Sequence, residues 1–262
     1  MQLRLIRSDD SRPESARRPG GGRGRLAGAA AAIALSSLLG CASSPPASAG
    51  APLEIPETVE PDVGATHPTL RAALLDLRAR DQAARAAMIA AMQTAERSED
   101  GGIRFDAAGM QAVTAVKVID AESTAFLKQA VARHGWPTID MVGEDGASAA
   151  WILAQHADAE PAFQAEVLAL MEPLVAEGQA AADDFALLTD RVLRARGLPQ
   201  RYGTQFTTDA EGVSRPAPIE DAHSVDERRA AVGLPPLAEY ARIIGESYGG
   251  PTSPEPMPLE QD

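Results

Sequence analysis

The stretch "ASAAWILAQHA", residues 147–157, is apolar around its whole circumference until Gln155 and His156. A helix without a polar face is buried on every side, so other helices must be arranged around this one. The chain supplies them: apolar residues recur at helical spacing almost throughout residues 67–247. The expected fold is therefore mainly α, a multi-helix bundle or orthogonal helical array with one small β-hairpin or structured loop.

Thr69 is placed to cap a first helix in which Leu70, Leu74, Leu77, Ala84 and Met88 form a stripe interrupted by Asp81. Asp106 can cap a second helix that ends at His134, with Gly135 supplying the left-handed residue that closes it. One face of that helix carries Asp120, Thr124, Leu127, Val131 and His134. After the central helix, Asp158 is placed to cap a segment with Phe163, Val167, Leu170 and Leu174 inward, which Pro173 should kink or end. Asp184 opens the next, with Phe185, Leu188 and Val192 inward and Gly197 at its end. "SVDE", from Ser224, has capping-box spacing and starts a short helix that stops at Gly233; "LAEYARII" forms the last. Residues 199–221, "PQRYGTQFTTDAEGVSRPAPIED", depart from the helical period. They are expected to form a small hairpin over residues 205–214 or an ordered loop.

The two ends have a different character. Arg17, Arg18, Arg23 and Arg25 precede an apolar run, residues 26–39, too short to span a bilayer. A basic region followed by a short apolar core describes a secretory signal over residues 1–40. Leu38, Leu39, Gly40 and Cys41 resemble the lipobox of bacterial lipoproteins. That resemblance implies cleavage before Cys41, the single cysteine, and lipidation there, which would attach the protein to a membrane. Ala42, rather than aspartate, follows the cysteine, and by resemblance to known sorting patterns this favours the outer membrane, on its periplasmic face. Residues 41–66 are rich in Pro, Ala and Ser and read as a disordered tether, and the Pro-rich residues 248–262 as a disordered tail. Loss of residues 1–40 removes seven arginines and three acidic residues, taking the net charge from −13 to near −17. A surface this acidic repels nucleic acid and anionic headgroups, so neither is an expected partner.

Four blocks, "DAESTAFLKQAVARHGWP", "VGEDGASAAWILAQHAD", "LTDRVLRARGLPQRYGTQF" and "PIED…VDERRAAVGLPPLAEY", resemble the successive blocks of a bacterial family catalogued as a domain of unknown function. The resemblance covers residues 120–241. It implies membership of that family and no particular activity.

Candidate chemistry gathers in residues 134–158, which hold two of the four histidines and both tryptophans. His134 closes a helix where its cationic form meets the negative end of the dipole, with Trp136 over the turn and Pro137 stopping the helix. The same residue beside an aromatic wall can be read as a general base. Gln155 and His156 end a buried helix, so their side chains must find partners, for which Asp120, Thr124 and Asp190 are candidates. Such pairing suits either a catalytic dyad or a structural knot between helices. Arg191, if it faces Gln200, Tyr202 and Gln205, can grip a carboxylate or a peptide end; alternatively these residues pin the irregular loop. Asp190 and Arg194, at i and i+4, read as a surface pair. No cofactor motif is present, and the histidines lack the spacing of a metal site.

Three readings follow, of which a purely structural spacer ranks last because it has little use for the ordered irregular loop around "PQRYGTQF". One is a binding module, with a groove lined by Trp136, Trp151, Tyr202 and Phe206, for a peptide, cell-wall polymer or protein partner. The alternative is an envelope hydrolase in which His156 or His134 meets Asp190 or Asp120 in an accessible pocket.

Overall fold

The computed structural model describes residues 65–97 and 103–258. The signal-like segment, Cys41 and the tether as far as residue 64 lie outside the described residues. Among the described residues there are seven helices: α1 (Pro68–Thr94), α2 (Ala107–His134), α3 (Ile139–Gln155), α4 (Pro161–Ala176), α5 (Ala182–Ala195), α6 (Val225–Ala231) and α7 (Leu237–Tyr248). Two short antiparallel pairs accompany them, β1 (Glu96–Arg97) with β2 (Ile103–Arg104), and β3 (Phe206–Thr208) with β4 (Ser214–Pro216). The mainly α architecture expected from the apolar period is the one observed. No helix among the described residues is long and apolar enough to cross a membrane.

The apolar helix α3 sits at the centre and touches α1, α2, α4 and α5. Its residues 149–155 are all buried, as a helix without a polar face requires. Leu74 and Leu77 of α1, Leu127 of α2, Val167 of α4 and Leu188 of α5 join it in one core. Met88, Val113 and Val116 form a smaller core near the far end of α1, and Ile219, Val225 and Leu237 a third beneath α6 and α7.

Several helix ends differ from the sequence expectation. α1 begins one residue before Thr69: Pro68 occupies its first turn, where its missing N–H costs nothing. Asp158 does not cap α4, which starts at Pro161 behind Glu160, because its carboxylate is engaged elsewhere. α4 continues three residues past Pro173, whose ring removes a single hydrogen bond in the last turn. Asp106 does cap α2, accepting from the Gly109 N–H at 2.7 Å, and Gly135 closes it with a φ of 76°. α3 starts earlier than its apolar run, at a cap on Thr138, and is interrupted at Gly143, whose φ is 72°.

The expected Pro-rich disordered tail also differs. Residues 251–257 run beside β4: Ser214 N–H donates to Pro251 O at 2.9 Å, Ser253 N–H to Ser214 O at 3.0 Å, and Met257 N–H to Pro216 O at 2.8 Å. Proline lacks a donor but keeps its carbonyl, so a Pro-rich strand can still follow a sheet edge.

Candidate functional site

Two polar centres lie inside the fold, and the sequence candidates divide between them. The first is built where α1, α2 and α3 meet. Asp81 and Arg85 stand at i and i+4 on α1, on the same stripe as Leu74, Leu77 and Met88, so helix geometry turns them inward with the core. Nδ1 of His156 lies 2.9 Å from Asp81 Oδ1 and 2.9 Å from Arg85 Nε. Arg85 Nε donates to Asp81 Oδ1 at 3.0 Å, Gln82 donates to Asp81 Oδ2 at 2.8 Å, and Arg85 Nη2 donates to Asp120 on α2.

Burial alone would push the Asp81 carboxyl up, but the His156 and Arg85 contacts outweigh it and hold it below the usual carboxylate range. Burial and the Arg85 charge press the His156 imidazole down to about 4 against the pull of Asp81. The ring is therefore neutral at pH 7. Placing its proton on Nδ1 gives the charged Asp81, the stronger acceptor, a second donor. Nε2 is then a lone pair, and it is buried without a hydrogen-bond partner. Burial raises the Asp120 carboxyl to about 7, with Asp81 and Asp158 adding to the rise and Arg85 opposing it.

Asp81, Asp120 and His156 each offer one ligand atom, all within 4.8 Å of one another. The spacing of the histidines did not suggest a metal site, and here the Arg85 guanidinium reaches all three residues and supplies the positive charge between them.

Next to this cluster, Asp158 accepts from Arg191 Nη1 of α5 at 2.6 Å and from Gln164 Nε2 of α4 at 3.2 Å. Gln164 Nε2 also lies 3.2 Å from the carbonyls of Ala154 and Gln155, where α3 ends. Gln155 itself has 0% exposure, and both its amide atoms lack a partner; so do Nε and Nη2 of Arg191. The Arg191 charge adds to the lowering of the His156 pKa.

The second centre is organised by Asp190. It is fully buried, so it forms no surface pair with Arg194, and it does not partner His156. Its carboxylate instead accepts backbone N–H groups from Arg201 at 2.8 Å, Tyr202 at 3.0 Å and Thr204 at 2.8 Å. Burial raises the Asp190 carboxyl, and those N–H groups pull it back. Gln200 donates to the carbonyls of Gln205 and Ala217, both at 2.9 Å, and accepts from the Gln205 N–H. Arg229 binds the Tyr202 and Pro235 carbonyls, each at 2.6 Å. Gly203 completes the turn: its φ is 67°, and a Cβ there would meet Ile219 at 2.7 Å. Asp190, Gln200 and Gln205 thus pin an irregular loop, and Arg191 faces Asp158 rather than forming a grip with Gln200 and Gln205.

His134 is exposed at the end of α2, and its ring meets His67 edge-on at 5.2 Å. Partial burial, His67 and Arg133 lower its pKa. Trp136 and Trp151 line one small pocket with Glu144, Ser148, Met171 and Asp184. Tyr202 and Phe206 are buried away from it, Phe206 against the Tyr240 ring, so the four aromatics do not share a groove.

The family model for a family of unknown function, DUF6624, matches residues 68–252. The chain belongs to DUF6624. Comparisons with curated proteins and with solved structures give no match. The DUF6624 match extends the resemblance seen in residues 120–241 back through α1, so both polar centres of this DUF6624 domain lie wholly inside it. From the sequence Asp81 is only an interruption of the first helix's stripe, and Arg85 is not marked at all. The available signal was two opposite charges continuing the stripe of Leu70, Leu74 and Leu77 at helical spacing, where solvent-facing residues do not belong.

Proposed function

We propose that this DUF6624 domain is a lipid-anchored cell-envelope binding module, tethered through Cys41 at the outer membrane, and that its ligand site is the polar centre at the end of α3. The observation that carries this reading is Gln155, fully buried with both amide atoms unpaired; His156 Nε2 and two nitrogens of Arg191 are likewise buried and unpaired. Leaving a buried donor or acceptor unmade costs about 1–3 kcal/mol each. A bound ligand that paired these groups would remove that cost. Binding is favoured over the hydrolase because His156, the histidine with a carboxylate partner, is enclosed, whereas the exposed His134 meets another histidine. Peptide, cell-wall fragment and protein partner all remain within this reading.

The test is the sign of a stability change. Gln155→Leu replaces the unpaired amide with an apolar side chain of comparable size, so the purified variant should melt higher than wild type. Each kcal/mol recovered raises Tm by about 2–4 °C in a domain of this size. A lower melting temperature would show that the amide is satisfied within the folded protein, by ordered water for example, and would refute the ligand site.

A further inference from the structure

Arg191 has one occupied edge and one empty edge. Nη1 donates to Asp158 at 2.6 Å. Nε and Nη2 project from the same side of the planar guanidinium, and both are buried without a partner. Two parallel N–H donors on one edge match the two oxygens of a carboxylate. The chain itself shows this fit: Arg71 uses Nε at 2.9 Å and Nη2 at 2.6 Å to hold Asp145. Arg191 presents the same pair of atoms, buried and without a hydrogen-bond partner.

We propose that the empty edge of Arg191 binds the carboxylate of a small ligand, and that an N–H or O–H next to that carboxylate is accepted by His156 Nε2 or Gln155 Oε1. This assignment rests on the reading of the centre as a ligand site and adds the ligand's chemical class. The charges select one negative charge rather than two. Asp158 already opposes Nη1, and Asp81 and Asp120 stand beyond His156 and Arg85, so a phosphate dianion meets more repulsion than a monocarboxylate. With the ring proton assigned to Nδ1, facing Asp81, His156 offers an acceptor at Nε2 for the second contact. The enclosure favours a small molecule, or the end of a chain rather than its middle. Asp158, with its side chain 40% exposed, stands at the outer end of the Arg191 pair and is the group that must move for entry.

The probes are formate, acetate and glycolate, added to the full-length purified protein at constant ionic strength, with formamide and inorganic phosphate alongside. Tm and the ¹H–¹⁵N resonance of Arg191 Nε are the readouts. The expected result is a saturable rise in Tm with each carboxylate, strongest for glycolate because its hydroxyl reaches the acceptors, and a shift of the Nε resonance on the same titration curve. Arg191→Lys keeps a cation for Asp158 but lacks the fork, and should bind about tenfold more weakly. No saturable response to any carboxylate, or an undiminished response in Arg191→Lys, overturns the assignment. Protection by formamide or phosphate alone also overturns it while leaving a ligand site in place. The reading beneath it fails separately, if Gln155→Leu melts lower than wild type. Should Arg191→Lys not fold, the wild-type Nε titration decides alone.

Discussion

One guanidinium cannot neutralise two carboxylates. Arg85 is shared between Asp81, held low by His156 as well, and Asp120, which keeps its proton up to about 7. The consequence for stability has opposite signs at the two titrating groups. Asp120 binds its proton more tightly folded than unfolded, so its contribution is full below about pH 4 and is lost as pH rises through 7. His156 binds its proton less tightly folded, so its contribution is full above the ordinary histidine value of 6.5 and is lost as pH falls toward 4. Each slope approaches about 1.4 kcal/mol per pH unit, and between pH 4 and 6.5 they oppose each other. Asp120→Asn, which imitates the protonated carboxyl, removes the falling slope. The difference in Tm between this variant and wild type should therefore widen in the variant's favour from pH 5 to 7.5. A difference independent of pH would show that Asp120 is ionised throughout. At this scale the sequence marked His156, Gln155 and Asp120 because each ends or interrupts an apolar face. It could not mark Asp81 as the partner of His156, since nothing local says which distant helix will dock there.

Among the elements, the helices and the small hairpin were legible, and the bonding that holds the irregular segment around it was not. Periodicity places α1 to α7 because it records which face each helix buries. The residues of "PQRYGTQF" carry no such record: their backbone groups are bonded by side chains from α5, α6 and the loop itself. Asp190 in particular looks from the sequence like a surface residue paired with Arg194, although it serves as the acceptor for three loop N–H groups. Asp190→Ala should leave those donors unpaired and cost roughly 3 kcal/mol or more. Hydrogen exchange locates the damage: the amides of Tyr202 and Thr204 should lose protection well before those in the middle of α2. Uniform loss along the chain would mean that the loop and the bundle unfold as one unit.

At the level of the whole molecule, the lipid anchor of the proposed function makes a demand on geometry. Between Cys41 and the first described residue lie 23 residues, enough to let the domain stand up to roughly 80 Å from its attachment point when extended. Cys41→Ser should move the protein from the membrane fraction to the soluble fraction and abolish incorporation of labelled fatty acid; retention in the membrane would remove the anchor from the proposal. The other end of the chain has a quieter role. Because residues 251–257 occupy the outer edge of β4, that edge has no free row of donors and acceptors. Proteins crowded side by side on a bilayer are at risk of zipping their sheets together into one continuous ribbon; here residues 251–257 of the same chain already fill the place where a neighbour's strand would have to lie.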